Sequence, residues 1–253
     1  MTNKQILCIV EGEVSEVEIL KKLNEEFIRK KIEFVPLCTN IYHIYHAYLK
    51  EQEEIGSSIN MFLFLKIKYD KNGVLKDKKE RDFLGIYLFL DFDGHEPLAQ
   101  NYTACIPKML RLFDNHKENG KLYISYPMVE SFYHPIYGCD ICEVFKIASG
   151  KKYKKYIHKI TYNKFELIDD LHKETLNQNL IAHLKQANLL VHNNFEFPSN
   201  YNIDEWAQLS IYENQLNKYI LNNNSVLVFS SFVLFLLEYL GENLFLEWKN
   251  LNQ

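Results

Sequence analysis

The feature that most constrains this chain is the run Leu84–Leu90, apolar at nearly every position and followed at once by Asp91-Phe92-Asp93-Gly94. A stretch that is apolar at successive rather than alternate positions buries both of its faces. That pattern belongs to a strand inside a parallel sheet with helices on either side. The rest of the first half agrees. Lys4–Val10 reads as a short apolar strand, ended by Glu11-Gly12-Glu13 with the glycine taking a tight turn. Ser15 is placed to cap the next helix with Glu18 three residues on, and Glu16, Leu20, Leu23 and Phe27 share one helical stripe. Glu33–Leu37 is a second strand. Ile41–Lys68 has helical periodicity with a break at Gly56-Ser57, Asp70–Asp82 is a polar loop, Tyr102–Phe113 a crossover helix, and Lys121–Tyr126 a strand closed by Pro127. Alternating strands and helices predict right-handed crossovers, hence an α/β fold with an open, mostly parallel sheet flanked by helices over residues 1–135. Residues 136–253 read as a mainly helical C-terminal extension, with helices expected over Lys164–Gln186, Asp204–Leu221 and Ser225–Leu240.

Composition narrows the function classes. A formal charge of −4 excludes a protein that coats polyanions over its whole surface, so contact with nucleic acid requires a local basic patch. Five cysteines, an odd number, without a signal-peptide pattern, predict reduced thiols and a cytoplasmic protein. The most apolar stretch, Val226–Leu237, is interrupted by Ser230 and Ser231 and falls short of the roughly 20 residues that cross a bilayer. It reads as a buried helix, and no membrane partner is expected.

Residues two apart in a strand point to the same side, so Asp91 and Asp93 are placed to converge on one ion while Phe92 turns away. Glu11 also follows a strand end, and open α/β sheets bind ligands beyond those ends. Singly, the aspartates read as turn or cap residues and Glu11 as a solvated charge. As a set, they repel one another unless a cation compensates, and a hard ion such as Mg²⁺ or Mn²⁺ takes a few carboxylates plus water and phosphate oxygens. Glu16, aimed inward near the same sheet end, reads equally as a further ligand or as a helix-start charge. Glu130, just past the Lys121–Tyr126 strand, reads as a ligand or as a first-turn glutamate.

Ile9-Val10-Glu11-Gly12, then Leu90-Asp91-Phe92-Asp93-Gly94-His95 after a buried strand, resembles the TOPRIM domain of topoisomerases, primases and several nucleases. Glu16 on the following helix, with Tyr126-Pro127-Met128-Val129-Glu130 downstream, is similar to the compact OLD-like and RloB-like nucleases of bacterial phage defence. The resemblance covers about the first half of the chain. It implies that Glu11 is the catalytic glutamate, that Asp91 and Asp93 are the metal-binding pair, and that Glu16 and Glu130 are accessory ligands. It further implies an ATPase partner, since this chain has no Walker A signature. No adjoining domain carries an evident DNA-attacking tyrosine, so strand passage is not expected.

Between Phe145 and Phe165 stand Lys146, Lys151, Lys152, Lys154, Lys155, Lys159 and Lys164, with no acidic residue and with Tyr153, Tyr156 and Tyr162 interleaved. Over 146–164 the lysines are suited to phosphates and the tyrosines to stacking on bases; the alternative is a solvated helix face with its tyrosines packed inward. Lys151, Lys152, Lys154 and Lys155 are the expected substrate contacts, with His95 as a phosphate contact or proton shuttle. Cys139-x-x-Cys142 near His134 lacks the second pair that a zinc site needs.

The expectation is a divalent-metal-dependent nuclease that hydrolyses phosphodiester bonds of DNA or RNA, tRNA included, as the toxic effector of an antiviral defence system. Two alternatives stand beside it: a non-catalytic TOPRIM-like module docking onto an ATPase, and a metal-dependent phosphatase or nucleotidyl transferase.

Overall fold

The computed structural model of the protein describes residues 4–56, 59–94, 102–135, 142–161 and 168–252. Strand β1, Gln5–Val10, has no exposed surface from Ile6 to Val10. Helix α1, Ser15–Leu23, buries Glu16, Ile19, Leu20 and Leu23 and runs into a π turn at Asn24–Ile28. Val14 precedes the helix and no side chain caps it. Ser15 is therefore the first helical residue and not the cap its sequence position suggested. Glu16 and Glu18 in the first turn still meet the positive end of the helix dipole.

Strand β2, Ile32–Pro36, leads to α2, Ile41–Ile55, which Asn40 caps by accepting from the Tyr42 and His43 amides at 3.1 Å each. Gly56, left-handed at φ 69°, ends α2 where the sequence placed the break. Helix α3, Met61–Lys68, follows an Asn60 cap. The polar loop beyond is organised by Asp70, whose carboxylate accepts from the Val74 and Leu75 amides, each at 2.7 Å. Strand β3, Phe83–Asp91, carries the double-faced run, buried continuously from Gly85 to Leu90. Helix α4, Tyr102–Leu112, short strand β4, Asp114–Asn115, and strand β5, Gly120–Ser125, complete the first half.

The five strands form one sheet in the order β2-β1-β3-β5-β4. β1 pairs in parallel with both β2 and β3, and only the short edge strand β4 is seen to turn antiparallel, against β5. The mostly parallel α/β sheet with a helical C-terminal region is the expected architecture. β4 was not foreseen, because two polar residues carry no strand pattern.

The chain divides into two compact units, Met1–Asp91 with Pro97–Tyr123, and Phe92–Glu96 with Ile124–Gln253. The second unit contains β6, Val144–Lys146; α5, Gly150–Thr161; α6, Lys173–His192; α7, Gln208–Gln215; and the short α8, Leu221–Asn223. Strand β7, Ser225–Leu227, helix α9, Phe232–Leu240, and helix α10, Glu242–Leu251, follow. The helix expected over Ser225–Leu240 is thus a strand followed by a shorter helix. Val226 and Val228 favour extended backbone, β7 pairs antiparallel with β6, and Phe229 bridges to Tyr126. Of the helix expected from Lys164, residues 164–167 lie outside the described residues; α6 begins at Lys173. α9 buries Phe232–Leu237 completely or nearly so, and among the described residues no helix is long and apolar enough to cross a membrane.

Around α6 the core of the second unit is unusually polar, with Asn177, Asn179, His183, Gln186 and Asn188 all buried. Each needs a partner to offset desolvation. Asn177 accepts from Trp248 Nε1 at 2.9 Å, and Asn179 donates to the Phe132 carbonyl at 3.0 Å. His183 lies between Gln186 and the Phe132 carbonyl, and burial lowers its pKa to about 4 from the ordinary 6.5. The unfolded chain protonates this ring below about pH 6.5, whereas the folded chain resists until about pH 4. Its contribution to stability is therefore complete above pH 6.5 and is lost as pH falls toward 4, by up to about 3 kcal/mol. In a proton-NMR titration the His183 ring resonance is expected to stay at its neutral shift down to about pH 5. A midpoint near 6.5 contradicts this burial.

Candidate functional site

Parallel pairing of β1 with β3 puts Val10 opposite Phe89, so Glu11 and Asp91 leave adjacent strands at the same, carboxyl end of the sheet. The β1–β2 ladder continues there, with the Leu37 and Cys38 amides donating to the Val10 and Glu11 carbonyls at 2.8 and 3.0 Å. The Glu11 side chain reaches the other way: its Oε2 accepts from the Asp91 amide at 3.0 Å, joining residues 80 apart in sequence. A carboxylate thus takes the place of the next carbonyl at the end of β3. Both residues are half-buried.

Glu16 is 4% exposed and points back to the turn after β1, where its Oε1 accepts from the Gly12 amide at 3.3 Å. A Cβ on Gly12 would stand 3.1 Å from Glu16 Oε2. Gly12 is not among the residues with positive φ. Its use in this turn is to give the buried carboxylate room to approach the backbone. Two carboxylate-to-amide bonds thus hold the Glu11 and Glu16 side chains at the end of β1, with the Asp91 backbone beside Glu11.

Asp93 belongs to the second unit. β3 ends at Asp91, and Asp93 is left-handed at φ 41°, a conformation aspartate tolerates better than most residues. The strand alternation that aimed Asp91 and Asp93 to one side accordingly does not extend to Asp93. Within its own unit the segment is anchored by the Phe92 amide, which donates to the Ser125 carbonyl at 3.0 Å, and by Phe92 against Tyr126 with ring centres 5.3 Å apart.

Glu130 sits in a 3₁₀ turn, Val129–Tyr133, and is 2% exposed. Lys154 Nζ meets its Oε1 at 2.8 Å. An expected metal ligand and an expected phosphate contact are thus joined to each other, and of the expected carboxylates Glu130 has a cation already supplied by the protein.

α5 is strongly amphipathic: Lys152, Lys154, Lys155 and Lys159 face solvent, while Tyr153 and Ile157 are buried. Tyr153 has no exposed surface, so it does not offer its ring to a base; its packing follows the inward-facing alternative. Its hydroxyl lies 3.3 Å from His134 Nδ1, while His134 Nε2 stands 3.2 Å from a Glu143 oxygen that also accepts from the Tyr156 hydroxyl at 3.1 Å. Sequence spacing gave no sign of this Tyr153–His134–Glu143–Tyr156 network, because its members come from three separate segments. His134 is engaged there, and Cys142 is an exposed thiol. His95, Cys139, Tyr162 and Lys164 lie outside the described residues, as does the side chain of Lys151.

Among the described residues no group of three or more His, Cys, Asp or Glu is arranged to hold a metal ion. The carboxylates of the first unit nonetheless suit a hard divalent cation in donor chemistry, because all their donor atoms are oxygens. With so few protein ligands, most of the shell would be water and substrate oxygens, which is the habit of Mg²⁺. No protein-family model matches the chain, and neither a curated protein nor a solved structure matches it.

Proposed function

We propose that this protein is a divalent-metal-dependent nuclease acting on phosphodiester bonds of DNA or RNA, with its chemistry centred on Glu11 and Asp91. The observation that carries the reading is the bond from the Asp91 amide to Glu11 Oε2 at 3.0 Å, which fixes two acidic residues from distant segments at the ligand-binding end of a parallel sheet. Glu11 and Asp91 would hold Mg²⁺ or Mn²⁺, with Glu16 beside them. Such an ion activates water and stabilises charge on a scissile phosphate. Glu11 is oriented through Oε2 and would take the proton of the attacking water. Lys152 and Lys155, solvent-facing on α5, would hold substrate phosphates. Lys154 would do so only by leaving Glu130. The TOPRIM resemblance supports the same assignment and adds, as part of the proposal, an ATPase partner and a role in phage defence.

The test is cleavage of plasmid, single-stranded DNA and total tRNA with Mg²⁺ or Mn²⁺, comparing wild type with Glu11→Ala. Metal-dependent cleavage that Glu11→Ala removes supports the reading, and cleavage that Glu11→Ala leaves intact sinks it.

A second reading has its own observation. Glu11 and Glu16 both accept backbone amides, which is the work of structural caps in a non-catalytic module docking onto an ATPase. That reading expects neither cleavage nor metal binding.

A further inference from the structure

At the opposite end of β3 from Asp91, the first unit contains a hollow of about 530 Å³ bounded by Lys4, Glu80, Arg81, Gly85, His116 and Lys117, among others. Eight residue steps separate Phe83 from Asp91, about 26 Å at the rise of a strand. The hollow includes none of the acidic residues considered above.

Its charge is the notable property. Lys4, Arg81 and Lys117 are all exposed, and none forms a salt bridge among the described residues. The single carboxylate on the wall, Glu80, accepts from Asn60 Nδ2 at 2.9 Å. Elsewhere in this first unit lysines are often paired, as Lys22 is with Glu26, Lys68 with Glu51 and Lys78 with Glu33. Lys4, Arg81 and Lys117 outnumber the one carboxylate on the wall, and in a chain of net charge −4 this local excess of positive charge is focused by a concave, low-dielectric wall.

The wall itself depends on one glycine. The His116 ring stacks on Tyr87, with centres 5.4 Å apart and planes 11° from parallel, and its carbonyl accepts from the Ile86 amide at 2.9 Å. A Cβ on Gly85 would stand 2.7 Å from His116 Cδ2. The only glycine in the apolar run of β3 thus opens the space in which this ring lies.

We propose that this hollow is a phosphate-binding site, separate from the acidic site, that takes the phosphates of a nucleotide or of a nucleic-acid backbone. Arg81 provides a fork suited to two phosphate oxygens, and Lys4 and Lys117 provide point charges on either side. A volume of about 530 Å³ suits a nucleotide-sized ligand. The proposal does not rest on the nuclease assignment, and its test needs no metal.

Titration calorimetry with sodium tripolyphosphate, with ATP in EDTA, with a short oligothymidylate and with polyglutamate distinguishes the sources. Wild type is expected to bind at least one phosphate probe, and Arg81→Ala combined with Lys117→Ala to weaken that binding by about tenfold or more. Glu11→Ala is expected to leave it unchanged. If the paired substitution weakens ATP and tripolyphosphate, the ligand is a free nucleotide; if it weakens oligothymidylate alone, the ligand is a nucleic-acid backbone. Failure of every phosphate probe to bind, binding unaffected by the paired substitution, or polyglutamate bound as tightly as the phosphates overturns the proposal.

Discussion

Glu11→Gln is expected to abolish metal-dependent cleavage as completely as Glu11→Ala, by between about a hundredfold and ten-thousandfold, while leaving the fold intact. The two substitutions separate the roles this carboxylate can have. A glutamine keeps an oxygen to accept the Asp91 amide, which Glu11 Oε2 does at 3.0 Å, but it carries no charge and takes no proton at neutral pH. If Glu11 only ended the β1–β3 ladder, Glu11→Gln would behave as wild type and Glu11→Ala would lose about 1 kcal/mol of stability. If Glu11 works on water and metal, both variants are inactive and only Glu11→Ala is measurably less stable. Cleavage rates beside urea midpoints for the same two proteins decide between these patterns.

Gln215→Leu is expected to cost about 2–6 kcal/mol of stability. The Gln215 side chain, with no exposed surface, donates from Nε2 to the Leu227 carbonyl at 2.8 Å and accepts at Oε1 from the Leu227 amide at 2.9 Å. β7 pairs with β6 only over Val144–Lys146, and the Gln215 amide satisfies Leu227 as a neighbouring strand would. A leucine fills similar volume but leaves an amide and a carbonyl buried without partners, each costing about 1–3 kcal/mol. A fall in the urea midpoint at unchanged slope is the expected signature. A change under about 0.5 kcal/mol would mean that β7 does not need this clamp.

The legible parts of the sequence were those where burial itself makes a pattern. Leu84–Leu90 announced a strand covered on both faces, and Gly56 announced the end of α2, because one depends on hydrophobic continuity and the other on a backbone conformation glycine favours. Less legible was structure set by distant partners. Val226–Phe229 is apolar enough for a helix and becomes extended because β6 and Tyr126 offer it hydrogen bonds from 80 or more residues away. The buried polar layer of α6 spoils the helical stripe, since Asn177, His183 and Gln186 offset their burial through bonds invisible in a one-dimensional pattern.

The acidic site was legible to a similar depth. That Glu11 and Asp91 stand at the carboxyl ends of two strands could be read from two apolar runs, each cut off by an acidic residue; that those strands are neighbours could not. That Glu11 crosses to the Asp91 backbone could not, nor could the left-handed turn at Asp93 that breaks the alternation. The engagement of Glu130 by Lys154 was equally hidden: both residues bore the charge expected of a site, and spacing along the chain does not reveal that they meet at 2.8 Å.

The most direct measurement is calorimetric titration of the purified protein with Mn²⁺, beside Asp91→Asn. It needs neither the substrate nor an activating partner. Wild type is expected to bind Mn²⁺, and Asp91→Asn to weaken that binding by about tenfold or more. Absence of Mn²⁺ binding by the wild type, or an Asp91→Asn protein that binds it equally well, contradicts a metal centre at the end of β1 and β3.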